Sequence, residues 1–341
     1  MVEPTQFPAN LPDIDRQGFG SLAESHRREL RAHCYRMLGS VQEAEEMVQE
    51  TFLRAWSRRE TYEGRSTFRA WLYKIATNLC IDTLRQRPRR GLPITREGVS
   101  TLEQPIRASI NEPIWLEPYP DDLPAPEESN PEARYSKNES IRLAFIASLH
   151  LLPPRQRAVL ILRDVLDWQA NEVAEALEQT VPSVKSALHR ARSTLAKYQP
   201  TLHSESISTS VTNQAFSKQL DRYIQAWEAA DVDALLSLLR DDSTFSMPPI
   251  PSWYQGLENI GGLVRKTIFS GHASGRWRLL PTRANAQPGF GLYKLNEGTK
   301  DYGGYGVQTI TFDGDQITDI TTFRNPALLA LFKLPSTLKS Q

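Results

Sequence analysis

Cysteine is almost missing from this chain of 341 residues, which has only Cys34 and Cys80. Two thiols cannot enclose a zinc ion alone, and the six histidines show no metal-ligand spacing beside them, so no metal site or cofactor is expected. Both cysteines fall on apolar faces of helical patterns, where a free thiol packs as a small hydrophobe. Long apolar runs are missing too: no stretch of about 18 such residues occurs, which excludes a transmembrane helix. Residues Met1 to Pro12 lack a basic region followed by an apolar run, so no signal peptide is expected, and the cytoplasm is the expected location. Apolar and charged fractions of 40% and 23% are those of a soluble globular protein, and the length suits two or three domains.

The chain also lacks net charge, with 40 basic and 40 acidic side chains, but this average hides a segregation. Glu24 to Arg90 carries 14 Lys or Arg against 9 Asp or Glu; Arg96 to Glu139 carries 4 against 10; Ile141 to Pro200 carries 8 against 5. Two basic blocks joined by an acidic linker suit two contacts with nucleic acid.

The first block reads as three helices. Leu30, Cys34, Met37 and Leu38 form one stripe, ended by Gly39-Ser40. Ala44, Met47, Val48, Thr51, Phe52 and Ala55 form a second, leaving Glu43, Glu46, Gln49 and Glu50 outside. Phe68, Trp71, Leu72, Ile75, Leu79 and Leu84 define the third. Arg58, Arg59, Tyr62, Arg65, Thr67, Phe68 and Trp71 mix cations and aromatic rings around the preceding loop. Opening a duplex needs a platform for an unstacked base and cations for the displaced backbone, so this loop is a candidate for melted DNA, with Lys74, Asn78, Arg85 and Arg87 continuing the track. Phe68 and Trp71 fit the core periodicity and are assigned mainly to it.

Residues 91–139 are a proline-rich acidic linker. Ile114, Trp115, Leu116 and Tyr119 are unusually apolar for such a tract and read as a tether that packs onto a neighbouring surface. Residues 140–198 turn helical again: Ile141, Phe145, Leu149 and Leu152 make one face, Pro153-Pro154 starts a helix, and helices Asn171–Glu178 and about Pro182–Tyr198 follow at helix-turn-helix spacing. Within the last of these, Val184, Ala187, Leu188, Ala191 and Leu195 face inward. Ser183, Lys185, Ser186, His189 and Arg190 are left outward, a small polar and basic surface fit for a major groove. Thr180 is placed to cap that helix.

Residues 213–335 read as helices followed by an antiparallel, curved sheet, with strands near Thr244–Met247, Arg276–Leu280, Phe290–Leu295, Tyr305–Phe312 and Gln316–Phe323 and a hairpin at Asp313-Gly314. The expected fold is therefore multidomain: two all-α parts, then an α+β cone.

Glu43-Ala-Glu-Glu-Met-Val-Gln-Glu-Thr-Phe-Leu-Arg-Ala-Trp56, Ser66-Thr-Phe-Arg-Ala-Trp-Leu-Tyr-Lys-Ile-Ala-Thr-Asn-Leu-Cys-Ile-Asp-Thr-Leu-Arg85 and Leu151-Leu-Pro-Pro-Arg-Gln-Arg-Ala-Val-Leu160 with its helix-turn-helix together resemble the sigma-70 superfamily, extracytoplasmic-function group. That resemblance places region 2 at residues 22–90 and region 4 at 140–198. It implies a non-enzymatic protein that gives core RNA polymerase its promoter choice, binding the large-subunit coiled-coil and the flap as well as promoter DNA. Glu46, Gln49, Glu50 and Phe52 would lie at or behind the core-polymerase contact. The loop and third-helix residues, Arg58, Arg59, Tyr62, Arg65, Thr67, Lys74, Asn78 and Arg85, would serve the −10 element, and Ser183, Lys185, Ser186, His189 and Arg190 the −35 element. Asn111-Glu-Pro-Ile-Trp-Leu-Glu-Pro-Tyr-Pro120 resembles the linker of a sigma-G-like subgroup with a fused C-terminal domain, and a separate anti-sigma partner is left open. Tyr223-Ile-Gln-Ala-Trp227, Phe245-Ser-Met-Pro-Pro249 and Trp253-Tyr-Gln-Gly256 resemble the SnoaL-like branch of the nuclear-transport-factor-2 fold, whose cone holds a pocket. Asp233, Asp242, His272 and Arg283 are its candidate pocket residues, and no pair among them has acid–base spacing. Regulation through contact with the sigma regions is the favoured role for the cone. A helix-turn-helix repressor, a small-molecule sensor and a C-terminal enzyme stay open as alternatives.

Overall fold

The computed structural model describes residues 15–62, 64, 66–87, 89–110, 115–121, 142–198, 213–271, 273–298 and 300–339. Arg65, His272, Ile114, Ile141 and most of the linker after residue 121 lie outside the described residues. Helices come first: α1 (Arg16–Glu24), α2 (Arg27–Leu38), α3 (Val41–Ser57), α4 (Phe68–Arg85), α5 (Pro93–Arg96), α6 (Leu143–Leu149), α7 (Pro154–Leu160), α8 (Ala170–Ala176) and α9 (Val181–Tyr198). Then come α10 (Asn213–Ala229), α11 (Val232–Leu236), β1 (Leu239–Ser246), β2 (Trp253–Gln255), α12 (Leu257–Leu263), β3 (Trp277–Ala284), β4 (Gln287–Leu295), β5 (Tyr302–Asp313), β6 (Gln316–Phe323), α13 (Leu328–Leu331) and β7 (Thr337–Leu338). These elements form two compact bodies, one of residues 15–89 and 148–198, the other of residues 90–121, 142–147 and 213–339.

In the first body the expected stripes close on one another. Leu30, Cys34, Met37 and Leu38 of α2 are buried, and Gly39 ends the helix in the left-handed region at φ 72°. Ser40 then caps α3, whose Ala44, Val48, Thr51 and Ala55 point inward at helical spacing. Thr67 caps α4 through its hydroxyl. This helix departs from its expected single stripe, because Phe68, Leu72, Tyr73, Ala76, Thr77, Leu79, Cys80 and Ile81 are buried while Trp71, Ile75 and Leu84 are only half-buried. Two faces of α4 are covered, and polar contacts hold the face that meets α2. The His33 ring Nε2 lies 2.8 Å from Thr77 Oγ1, whose own proton goes to the Tyr73 carbonyl at 2.7 Å, so the imidazole must donate. Burial, with the Arg36 and Arg69 cations nearby, pulls the His33 pKa down to about 3. Cys34 and Cys80 are free and buried between the same helices, as expected, and burial raises the Cys80 thiol.

The second half of this body is built around α7, lengthened by a wider π turn at Ile161–Val165. Its Arg157 is fully buried and donates to the carbonyls of Leu149 (3.0 Å), His150 (3.3 Å) and Leu152 (3.3 Å), and also to that of Met37 in α2. Of the expected face of Ile141, Phe145, Leu149 and Leu152, Leu149 and Leu152 are buried in this body; residues 142–147 of α6 belong to the other, with Leu143 and Ile146 buried and Phe145 half-buried.

The second body is a helix-covered sheet in the order β2-β1-β6-β5-β4-β3, with β7 on β5. All pairs are antiparallel except β1 with β6, which is parallel. That corrects the all-antiparallel expectation: β6 follows β5 through a tight hairpin at Gly314 and so arrives beside β1 running in β1's direction. The interior of this α+β cone is filled by aromatic rings. Tyr223 and Trp227 of α10 meet Phe290 (5.4 Å, stacked), Trp277 (5.9 Å) and Phe269 (5.3 Å, both edge-on). The Tyr223 hydroxyl donates to Gln308 Oε1 at 2.7 Å, and Gln308 donates on to Thr322.

The linker belongs to this body. Trp115, Leu116 and Tyr119 are buried, Trp253 Nε1 donates to the Glu97 carbonyl (2.8 Å), and Ile110 N donates to the Pro249 carbonyl (3.0 Å). Its tightest hold is on the β3–β4 turn, where Asn285 and Ala286 both sit in the left-handed region (φ 55° and 57°) without being glycine. Tyr119 N donates to Asn285 Oδ1, Asn285 N to the Tyr119 carbonyl, and Ala286 N to Asp121 Oδ1, each at 2.8 Å. The turn is thus over-determined by the segment clasping it.

Candidate nucleic-acid and polymerase interfaces

Three surfaces hold most of the residues expected to make contacts, and each follows from how its helix is buried. On α9, Val184, Ala187, Leu188 and Ala191 are buried against the body, which leaves Ser183, Lys185, Ser186, His189 and Arg190 exposed along one ridge. The helix starts at a Thr180 cap, with Ser183 N donating to Thr180 Oγ1 at 3.3 Å. Preceding α8 starts with a reciprocal cap in which Gln169 N donates to Glu172 Oε2 at 2.6 Å. Farther along α9, Arg192 grips Asp164 with two bonds of 2.7 and 3.0 Å, fixing the helix to the π turn. A ridge of hydroxyls and cations at the start of a firmly seated helix can reach base edges and phosphates together.

The second surface is a cleft of about 450 Å³ in the first body, lined on one side by Arg54, Arg58, Tyr62, Trp71, Lys74 and Asn78. Tyr62 is anchored by a 2.6 Å hydrogen bond from its hydroxyl to the Ser66 carbonyl, and its ring lies 5.2 Å from Trp71. Partial burial raises the Tyr62 pKa, so the phenol keeps its proton and can donate. Aromatic rings half-open to a cationic cleft suit the stacking of a base whose backbone runs past arginines and lysines. Of the predicted loop and α4 residues, Arg58, Tyr62, Lys74 and Asn78 come together here. Arg59 is drawn aside, its guanidinium stacked 4.2 Å from the Trp56 ring, Thr67 serves as a helix cap, and Arg85 pairs with Asp82 at 3.0 Å. Arg54 was not foreseen as a cleft residue; Trp71, counted among the loop's aromatic and basic groups but assigned mainly to the core by its spacing, is half-open here.

The third surface is the outer side of α3. Glu46 and Gln49 are exposed, and Glu50 pairs with Arg54 at 2.6 Å. Phe52 is half-buried beneath the Arg27 guanidinium, 5.1 Å from its ring, and stands behind this surface. Leu53, 63% exposed, lies among these polar groups and was missed. Its place four residues after Gln49, off the apolar stripe, was the available signal.

The candidate pocket of the cone does not form from the residues named for it. Asp233 is 87% exposed and pairs with Arg265 at 2.6 Å; Asp242 pairs with Arg240 at 2.6 Å; Arg283 is 59% exposed and reaches Asp121 at 3.4 Å. Asp233 and Arg283 thus lie mostly exposed and all three charged groups are paired, and His272 lies outside the described residues. No group of histidine, cysteine and carboxylate side chains among the described residues is arranged to hold a metal.

Sigma-70 region 2 matches residues 22–90 and sigma-70 region 4 matches residues 142–195. The chain is similar to the ECF RNA polymerase sigma factor SigG of Mycobacterium tuberculosis, at 39% identity over 96% of this chain and 87% of the relative. It is also similar to the ECF RNA polymerase sigma factor SigW of Bacillus subtilis, at 28% identity over 54% of this chain and 89% of that protein. Among solved structures, the extracytoplasmic function sigma factor SigJ of Mycobacterium tuberculosis shares the fold, with a TM-score of 0.55 at 23% identity over 93% of this chain and 100% of that one.

Proposed function

We propose, for a chain that belongs to the extracytoplasmic-function family of RNA polymerase sigma factors and so directs promoter-specific initiation of transcription, that its three surfaces divide the work. The outer side of α3, with Glu46, Gln49, Glu50 and Leu53, takes core polymerase; the cleft at Arg58, Tyr62, Trp71, Lys74 and Asn78 takes the melted −10 strand; the exposed ridge of α9 takes the −35 element. Joining all three in one chain carries this reading, since a repressor needs only the last of them.

The cone has a regulatory role in this reading and performs no reaction. In support, the sigma linker is packed into the cone's body through the Asn285-Ala286 turn, and the cone's charged candidates are paired at its exterior. A contact between the cone and the sigma regions completes the proposal, with the cytoplasm, where polymerase works, as its setting. Among the described residues no helix is long and apolar enough to cross a membrane.

Run-off transcription with purified core polymerase, on sites selected from a random promoter library, tests the assignment. Specific start sites are expected only when the chain is added. DNA binding without any transcript would return the protein to the repressor class.

A further inference from the structure

The cationic cleft has a second wall that a DNA-binding surface does not call for. Opposite Arg54, Arg58, Tyr62, Trp71 and Lys74 stand Glu175 and Glu178, from α8 and the turn between α8 and α9. Lys74 Nζ lies 3.5 Å from Glu178 Oε1, and Asn78 Nδ2 donates to the Ala176 carbonyl at 3.4 Å. A second cleft of about 220 Å³, lined by Asn78, Arg85 and Arg155, is also bordered by Glu178. One carboxylate therefore stands beside both parts of the track.

Glu178 is also a residue out of its ordinary conformation. It sits in the left-handed region at φ 53°, where glycine is at ease and a side chain is not. An acidic side chain kept at a strained turn, aimed at a lysine in a DNA track, points to a use for its charge. A carboxylate offers a cation the same kind of acceptor oxygens as a phosphate. The Glu178 side chain is 80% exposed and Lys74 is 37% exposed, so the pair is weak and easily exchanged.

We propose that Glu175 and Glu178 form an internal decoy: the helix-turn-helix turn lays phosphate-like charge into the single-strand cleft and keeps it closed until polymerase and promoter DNA displace it. The same segment that carries the −35 ridge thereby holds the −10 cleft shut, which links use of one to release of the other. Apparent affinity for single strands is lowered by the fraction of molecules that are closed. This inference rests on the reading of the cleft as the single-strand site, and the experiment separates the two.

The full chain, without polymerase, is titrated with a fluorescein-labelled oligothymidine. The Glu175→Gln/Glu178→Gln variant is expected to bind about three- to tenfold tighter than the unaltered chain at low salt, with the gap closing as salt rises. The charge-matched variant Glu258→Gln/Glu297→Gln, altered on the cone, is expected to show no such gain. Equal binding by all three overturns the decoy and leaves the cleft assignment standing; no binding by any overturns both. In a second arm, Lys74→Cys/Glu178→Cys is bridged with a short reducible bis-maleimide while Cys34 and Cys80 stay buried. The bridged chain should lose run-off transcription and regain it on reduction. Unchanged transcription in the bridged state, or failure of the bridge to form, overturns the proposal.

Discussion

Arg157, wholly buried, donates a hydrogen bond to the main-chain carbonyl of Met37, 120 residues earlier, and so ties α7 to the end of α2. Burial and the nearby Arg89 lower its pKa to about 9, which leaves it a cation at neutral pH. Main-chain carbonyls and the His150 ring, 3.3 Å away, satisfy a charge that has been taken out of water. Replacing Arg157 with alanine leaves those carbonyls unpaired as well as opening a cavity, and a loss of about 3 kcal/mol is expected in urea denaturation. Lysine, without the planar fork, is expected to recover less than half of it. A loss below about 1 kcal/mol would show that water replaces the guanidinium without penalty.

His33 predicts how the first body responds to acid. With a native pKa near 3 against an ordinary value of 6.5, the unfolded chain takes up a proton between these values and the native chain does not. Stability is therefore whole above pH 6.5 and falls as pH drops toward 3, by about 1 kcal/mol per pH unit for this group. Urea midpoints at pH 7, 6 and 5 measure the slope. His33→Gln, which keeps a donor and cannot titrate, should flatten it.

On α3, Leu53→Asp should weaken binding to core polymerase by about tenfold or more while thermal unfolding stays within about 1 °C, since most of the side chain is exposed in the free protein. Fluorescence titration with core polymerase checks the first and calorimetry the second. An unfolding shift of several degrees would mean that Leu53 supports the fold rather than the partner.

Along the α9 ridge, Lys185→Ala and Arg190→Ala should each reduce promoter affinity in the assembled complex. If they neutralise phosphates, each should also lower the slope of log affinity against log salt by about 1. Core binding should persist. Loss of polymerase association with DNA affinity intact would assign α9 to the wrong partner.

Ala286→Gly removes a left-handed alanine and should stabilise the second body by up to about 1 kcal/mol, whereas Asp121→Ala, which strips the acceptor from Ala286 N, should destabilise it by a similar amount. Hydrogen exchange at the β3–β4 turn reads both. If Ala286→Gly is neutral and Asp121→Ala costs nothing, the clasp contributes no stability.

The ridge on α9 was legible because Val184, Ala187, Leu188 and Ala191 obey one helical period and the capping residue stands where the turn needs it. Less of the cleft beside α4 could be read. Trp71 fits the same period as Phe68, and only the packing of α4 on two sides leaves it half-open. The parallel pairing of β1 with β6 joins Thr244 to Asp319, 75 residues apart, and no local pattern announces such a partner. Polar residues such as Asp233 and Asp242 looked like pocket groups because composition cannot say which side of a strand or helix end the core will occupy. The β3–β4 turn was opaque for a related reason: Asn285-Ala286 is a poor left-handed turn by itself, and Tyr119 and Asp121, which hold it, come 165 residues before it in the chain.

That long separation also sets an order of events on the ribosome. At about 5–20 residues per second, the stretch from Asp121 to Ala286 takes about 10–30 s to synthesise. Over that interval α6 to α9 are still being added, and from residue 199 onward every residue of α1 to α9 is made while the turn that clasps the linker is not. A newborn chain therefore passes through a stage in which the sigma regions exist and the linker is unheld, and how long that stage lasts is set by translation rate rather than by any ligand.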